Sequence, residues 1–127
     1  MGFRDEPGDI INRSTANNGR GLEVNAGNSV SLLGGNISFD RAIVTAPEGT
    51  INLGGLSGAG TINFESNNVV RFPDNVERSN VSLLNNSIAN VSFNGGGLIT
   101  VNARNLELND ESLILANIGK TLVRIVL

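Results

Sequence analysis

From Gly21 onward, apolar and polar residues alternate along the chain in short runs. A period of two residues is typical of a β-strand that buries one face. The runs are separated by a few residues of Gly, Asn, Ser or Asp, which favour turns. Between Gly21 and Asn117, no window carries a sustained apolar stripe at helical spacing. The pattern therefore predicts an all-β protein with many turns.

One phrase recurs in these runs: a small or polar residue followed by an apolar, a polar and an apolar residue. It occurs in GGNISF (34–39), GTINLGG (49–55), GTINF (60–64), SNVSL (79–83) and ANVSF (89–93). The runs lie closer together than the strands of a sandwich, which usually start about eight to twelve residues apart. Two or three such strands would close a turn of about twenty residues, as in a parallel β-helix, whose coils stack about 4.8 Å apart.

We therefore expect a short parallel β-helix (β-solenoid) of about five to six coils, with a β-sandwich as the alternative. Apolar residues of each phrase should point into the column, and the Ser, Asn and Thr residues between them should point outward. Gly and Asn are expected at corners that need a left-handed backbone. Asn side chains can also pass hydrogen bonds from coil to coil. The predicted apolar column comprises Ile37, Phe39, Ile51, Leu53, Ile62, Phe64, Val81, Leu83, Val91, Phe93, Ile99 and Val101.

The composition agrees with a single folded domain. The chain has 127 residues, 39% of them hydrophobic, and a mean hydropathy of +0.02, which is too apolar for a disordered chain. It has five Phe but no Trp or Tyr, so the core must rely on Val, Ile and Leu, of which the β-branched residues favour strands.

Residue types that are missing narrow the chemistry. Without Cys there is no disulfide and no thiolate metal site, and without His the commonest general base is absent. The net charge of −3 argues against binding to nucleic acid or to an anionic membrane. The N-terminus, MGFRDEPGDIIN, shows no apolar leader run.

Two glycine-rich segments resemble nucleotide-binding loops. ANIGKTL (116–122) lacks the first glycine of a P-loop, because Ile114 stands at that position. GGLSGAG (54–60) lacks the last glycine of a dinucleotide-binding loop, because Asn63 stands there, and no helix follows. The second segment is interpreted as a flexible corner, and no cofactor is predicted.

Acidic and Asn-Ser segments also have structural interpretations. NDES (109–112) brings Asp110 and Glu111 together, which suits a hard cation, but a solvated turn is the favoured interpretation and no metal site is predicted. Sequons in a chain so rich in Asn and Ser are treated as structural; they begin at Asn12, Asn36, Asn80, Asn85 and Asn90.

A catalytic function would need converging carboxylates. Many parallel β-helices act on polysaccharides with paired acids, and here such an enzyme would have to align Asp40, Glu65 and Glu107 on one outer face. The twelve acids lie mostly at turns, and no strand carries two of them at neighbouring alternate positions. A nucleophilic triad in its usual form needs His or Cys. A non-catalytic protein with no catalytic residue is therefore expected.

The segment IINRSTANNGRGLEVNAGNSVSLLGGNISFD (10–40) resembles the filamentous-haemagglutinin-like exoproteins of two-partner secretion, in particular the cyanobacterial haem-utilisation or adhesion type. TAPEGTINLGGLSGAGTI (45–62), FPDNVERSNVSL (72–83) and ITVNARNLEL (99–108) continue the resemblance, which extends from about Pro7 to Ile118. The resemblance is carried by the whole string of phrases, since no single phrase is a functional motif.

The resemblance implies a right-handed parallel β-helix that is exported through an outer-membrane barrel transporter. It also implies a secreted or surface location and a role in cell adhesion, with surface glycans or other cells as partners. On this basis we expect residues 1–20 to be a turn-rich end of the family's secretion domain. Residues 21–118 are then the β-helix coils, and residues 119–127 are a divergent apolar tail.

Two departures from the family leave alternatives open. The Asn-Pro motifs of the secretion domain are missing, and GKTLVRIVL (119–127) replaces the expected Gly- and Ser-rich coils. This tail is either a final rung or the end of a frame-shifted reading frame, and an uncapped column is expected to associate edge to edge. The first functional hypothesis is an adhesin shaft segment. A carbohydrate-active enzyme and a degenerate gene fragment without independent function are the alternatives.

Overall fold

A computed structural model describes residues 2–3, 8–15, 21–58, 60–64, 69–91, 97–116 and 122–126. These residues form sixteen short strands, and no helix occurs in the ranges just given. The strands are β1 (Gly2–Phe3), β2 (Ile10–Asn12), β3 (Leu22–Glu23), β4 (Ser29–Gly34), β5 (Ile37–Asp40), β6 (Ile43–Thr45), β7 (Thr50–Gly55), β8 (Gly60–Thr61), β9 (Asn63–Phe64), β10 (Val70–Arg71), β11 (Val81–Leu84), β12 (Ile88–Asn90), β13 (Leu98–Asn102), β14 (Leu106–Leu108), β15 (Leu113–Leu115) and β16 (Leu122–Val126).

Twelve of these strands wind into a short parallel β-helix, as the sequence predicts. The first sheet has the order β14-β11-β5-β2, the second β15-β12-β6-β3 and the third β16-β13-β7-β4, all with parallel neighbours. Each coil takes one strand from each sheet, so the described residues make four coils rather than five to six. The difference arises because one segment between the second and third coils does not join the column.

The coils stack in register, and this places like residues above one another. In the first sheet Ile37 pairs with Val81, and Val81 pairs with Leu106. Nine of the twelve residues predicted for the apolar column lie in one fully buried cluster. They are Ile37, Phe39, Ile51, Leu53, Val81, Leu83, Val91, Ile99 and Val101.

The other three predicted column residues have different outcomes. Phe64 is 47% exposed, so its assignment to the column is wrong. Ile62 is buried, but in a second cluster outside the column. Phe93 lies outside the described residues. Both contradicted positions belong to the phrase GTINF, because an alternating pattern does not reveal which sheet a strand joins.

Polar residues form the corner between the first and second sheets. Positive φ angles occur there at Arg41, Asn85, Asn86, Asp110 and Glu111, and the segment NDES makes the same kind of turn in the fourth coil as NNS (85–87) makes in the third. Asn and Asp tolerate this left-handed backbone better than most side chains.

A buried serine ladder holds the same corner together. Ser87 donates its hydroxyl to Leu84 O (2.6 Å) and accepts from Ala42 N (3.1 Å). Its own amide donates to the hydroxyl of Ser112 (3.0 Å). These bonds satisfy backbone groups where the chain leaves one sheet for the next.

Residues 56–78, which we call the insertion, leave the column after β7 and return before β11. The two ends run antiparallel, with a bridge between Leu56 and Arg78 and a bond from Ser57 N to Glu77 O (3.1 Å). Inside the insertion, β9 and β10 form an antiparallel pair, and β8 pairs with β1. A second apolar cluster packs the insertion against Leu33 of the third sheet; it comprises Leu56, Ile62, Val70, Phe72 and Val76.

Strands also form in the two segments expected to flank the coils. Strand β2, from the segment 1–20, pairs with β5, and β16, from the segment 119–127, pairs with β13. Within the described ranges, no helix is long and apolar enough to cross a membrane.

Candidate functional site

A row of exposed polar side chains lies along the edge of the first sheet where its strands begin. Asp9, Asn36, Asn80 and Asn105, which we call the Asn ladder, each stand immediately before a strand of that sheet. In every coil the residue that follows is apolar and points inward. Two copies of the recurring phrase, at 34–39 and 79–83, therefore mark one corner of the column, whereas the copy at 49–55 forms β7 of the third sheet.

Hydrogen bonds connect successive members of the Asn ladder. The carboxylate of Asp9 accepts from Asn36 N (2.8 Å), and the amide oxygen of Asn36 accepts from Asn80 N (3.0 Å). The side-chain amide of Asn105 donates to Asn80 Oδ1 (3.2 Å). Such stacking of amides was expected from the abundance of Asn, and it fixes these side chains at regular intervals on the surface.

The outer face of the second sheet carries an aliphatic row beside the polar positions Glu23, Thr45 and Asn90. Ile43, Ile88 and Leu113 stand opposite one another in register, and the buried residues Val44 and Ala89 point to the other side.

The insertion covers the outer face of the third sheet and buries polar residues there. Asn52 points away from the column yet is 0% exposed. Its Oδ1 accepts from Val70 N (3.1 Å) and from the hydroxyl of Thr100 (2.6 Å), and its Nδ2 donates to Ser31 Oγ (3.1 Å). Asn52 thus joins three coils to the insertion.

Gly54 allows the insertion to approach closely. A Cβ atom built on this residue would lie 2.6 Å from Phe72 Cζ and 2.9 Å from Leu33 Cδ2. Since real Cβ contacts are longer, a side chain here would displace the Phe72 ring. Gly54 and the neighbouring Gly55 are the last residues of β7, so GGLSGAG begins as a close-packed strand end rather than as a flexible corner.

A cleft of about 320 Å³ opens between the insertion and the third sheet. The guanidinium of Arg78 lies over the Phe72 ring, with 5.6 Å from Cζ to the ring centroid. Thr100 and Asn102 form the floor from β13, and Asp74 stands on the rim. Arg71 also lines the cleft, which therefore combines two cations, a carboxylate, an amide and apolar walls.

The acids proposed for an enzyme do not converge. Asp40 and Glu107 both face outward from the first sheet, but β11 lies between their strands. Two strand spacings across the sheet and two residues along the strands separate their backbones by roughly 12 Å, whereas paired catalytic carboxylates of glycosidases lie about 5–9.5 Å apart. Glu107 also accepts a hydrogen bond from Asn109. Glu65 lies outside the described residues.

Asp40 is held in its charged form. The Asn85 amide donates to its Oδ1 (2.8 Å), and Arg13 Nε lies 3.5 Å from its Oδ2. The Asn85 hydrogen bond and, secondarily, Arg13 keep the pKa of Asp40 below its ordinary value. A carboxyl with a lowered pKa is suited to a structural contact and not to donating a proton.

The other motifs make no constellation with these acids. Asp110 and Glu111 lie in the positive-φ corner, and no group of three or more acids in the described part of the chain is placed to hold a metal ion. Most of ANIGKTL lies outside that part. Of the sequon residues, Asn36, Asn80 and Asn85 bond to other coils.

Sequence reasoning did not find the cleft. Arg78 and Asn102 lie in ordinary polar segments of the sequence, VERSN and VNARN, which carry no recognisable motif. The two residues meet only through the fold. One signal was available, because the corner phrase occurs at 36–39 and 80–83 with too much chain between them for a single coil.

Comparison with family models, with curated proteins and with solved structures gave no match for this chain.

Proposed function

We propose that the chain is a non-catalytic segment of the β-helical shaft of a secreted or surface-displayed adhesin, similar to filamentous-haemagglutinin-like exoproteins. Its role is structural and adhesive, and its parent protein leaves the cell through an outer-membrane barrel transporter. The resemblance of the sequence supplies the family, and the observation that carries the proposal is the Asn ladder.

The Asn ladder suits weak contacts that add up along a surface. Its members present amide or carboxylate groups to solvent once per coil, and such groups match the hydroxyls of surface glycans. A single amide contact is weak, but repeated contacts at a fixed spacing raise the overall avidity without any new kind of interaction. A column that continues the same register would lengthen this surface.

The carboxylates favour a non-catalytic role. Asp40 and Glu107 are each engaged by neighbouring side chains, and the described residues that share a cleft with Asp40 include no second acid. The enzyme alternative has no comparable supporting contact in the described coils.

The proposal is tested by coupling the chain densely to beads and measuring their retention on immobilised bacterial and host glycans. A double variant, Asn36→Ala with Asn80→Ala, removes two amides from the Asn ladder. The matched control, Asn25→Ala with Asn75→Ala, removes two exposed amides elsewhere. We expect retention of the ladder variant to fall at least tenfold, with the control unchanged. Equal retention of both variants, or no retention of the unmodified chain on any surface, would contradict the proposal.

Self-association along the column belongs to the same proposal. Leu108 and Leu113, on strands of the fourth coil, are both more than two-fifths exposed, and exposed strand edges pair readily. Sedimentation at increasing protein concentration should show growing species, whereas a single monomeric species at all concentrations would contradict this part.

A further inference from the structure

The cleft beneath the insertion contains a polar group that the protein itself leaves without a partner. Asn102 lines this cleft from β13 and is only 4% exposed. Arg78 Nε is buried without an acceptor, and no carboxylate in the described part of the chain forms an ion pair with this guanidinium.

Buried polar groups are normally satisfied, because leaving them without partners costs free energy. An arginine Nε without an acceptor at a cleft is therefore unusual. The cost is reduced when a ligand supplies the missing acceptor. An amide that is nine-tenths buried and opens into a cleft is also held rigidly, so it can discriminate between ligands by geometry.

We propose that this cleft binds a sugar that carries a carboxylate, such as a hexuronate unit of an acidic polysaccharide. The carboxylate pairs with the guanidinium of Arg78, since the planar fork of arginine matches a carboxylate. The amide of Asn102 bonds to ring hydroxyls. Phe72 lies behind Arg78 and restricts the orientation of the guanidinium.

The remaining lining favours a sugar over a simple anion. The cleft is lined by two arginines, Arg71 and Arg78, and by one carboxylate, Asp74, so a ligand with a single negative charge balances it, and the Asp74 charge opposes a multiply charged ion such as sulfate or phosphate. A hydroxyl can donate to this carboxylate, so a ligand with one acid group and several hydroxyls satisfies both residues. Thr100 already donates to Asn52 and still has a lone pair for a ligand hydroxyl. The volume of about 320 Å³ lies at the small end of ligand pockets, where one or two sugar rings fit.

This site is separate from the adhesive surface. The Asn ladder precedes the strands of the first sheet, whereas the cleft lies on the third sheet. Binding in the cleft involves one chain and one ligand, so it does not depend on multivalent display. Failure of either test leaves the other proposal standing.

The test is a titration of the isotopically labelled full chain with digalacturonate, followed by amide chemical shifts. We expect saturable shifts at Arg71, Asp74 and Asn102, with the outward-facing Ser38 and Ser82 unaffected. Neutral digalactose should bind at least tenfold more weakly, because it lacks the carboxylate.

Two arginine variants provide the matched comparison. Arg78→Gln should weaken digalacturonate binding at least tenfold. Arg104→Gln removes an exposed guanidinium outside the cleft and should bind like the unmodified chain. If Arg78→Gln fails to fold by circular dichroism, the comparison of digalacturonate with digalactose on the unmodified chain decides the question.

Four results would overturn the proposal. Three of them are equal affinity for digalactose and digalacturonate, undiminished binding by folded Arg78→Gln, and saturable shifts confined to residues outside the cleft. Displacement of digalacturonate by sulfate at equal concentration would also overturn it, because the cleft would then be a general oxyanion site and not a sugar site.

Discussion

Replacing Asn52 with Ala should loosen the insertion, because this buried side chain bonds the insertion to the column. Asn52 Oδ1 accepts from Val70 N and from Thr100 Oγ1, and both interactions are buried. Removing the acceptor leaves the Val70 amide unsatisfied, which costs about 1–3 kcal/mol. The Thr100 hydroxyl loses a bond worth about 0.5–1.5 kcal/mol. The bond to Ser31 contributes little, since Ser31 is exposed and water replaces the lost donor.

The expected loss for Asn52→Ala is therefore about 2–4 kcal/mol. A domain of this size has an unfolding free energy of about 5–15 kcal/mol, so the change is readily measured. Urea unfolding followed by circular dichroism gives the global value, and hydrogen exchange at the Val70 amide gives the local one. If the insertion opens as a unit of its own, the loss appears mainly in the exchange of Val70.

Ser31→Ala is the matched control for Asn52→Ala. It removes the partner of Asn52 Nδ2 but leaves both buried bonds to Oδ1 in place. We expect it to change stability by less than about 0.5 kcal/mol. The reasoning is refuted if Asn52→Ala and Ser31→Ala are equally stable and the Val70 amide exchanges at the same rate in both.

Two further predictions concern the corner between the first and second sheets. Ser87→Ala removes the buried hydroxyl that bonds to Leu84 O and Ala42 N. Ser87→Ala should lower the free energy of unfolding, measured in urea, by about 1–3 kcal/mol, whereas Ser82→Ala, at an outward-facing position, should be nearly neutral. Equal losses for the two variants would contradict a stabilising role of the serine ladder. For Asp40, the folded pKa lies below the unfolded value of 3.8, so its stabilising contribution is complete above that value and is lost as the pH falls through the folded pKa. The stability advantage of the unmodified chain over Asp40→Asn should therefore shrink as the pH falls below about 4, and an advantage that is constant with pH would contradict the assignment.

The buried residues of the column could be predicted because the sequence pattern that determines their burial is local. In NISF (36–39) and NVSL (80–83) the apolar residues alternate with polar ones, and the preceding Asn marks the corner. A one-residue shift of register would expose every apolar residue, so the alternation and the corner together determine which side chains are buried. Ile37, Phe39, Val81 and Leu83 were assigned correctly for this reason.

The cleft could not be predicted because it depends on contacts between residues that are far apart in the sequence. The alternation of TINL (50–53) correctly points Asn52 away from the column, but its complete burial depends on a segment that follows later in the chain. TINF (61–64) has the same local pattern and lies in the insertion. Alternation shows that a strand has two different faces, but it does not show which neighbour covers either face.

The same geometry predicts that the insertion can be removed without breaking the column. Ser79 N already lies 2.9 Å from Gly55 O, and the same two atoms are about 2.2 Å apart across a peptide bond. Joining Gly55 directly to Ser79 gives Gly-Ser-Asn at a corner where the second coil begins with Gly34-Gly35-Asn36. We therefore expect a chain lacking residues 56–78 to fold with the three parallel sheets intact.

Such a deletion separates the roles of the two apolar clusters. The column cluster lies wholly outside the deleted segment, whereas the second cluster keeps only Leu33. Amides of Val81 and Leu83 should remain protected from hydrogen exchange, because their partners on the neighbouring strands are retained. Digalacturonate binding should disappear, since Arg78 and Phe72 are removed. An unfolded deletion variant would show instead that the insertion is required for the column, because covering Asn52 and Thr100 would then be a condition for stacking the third sheet.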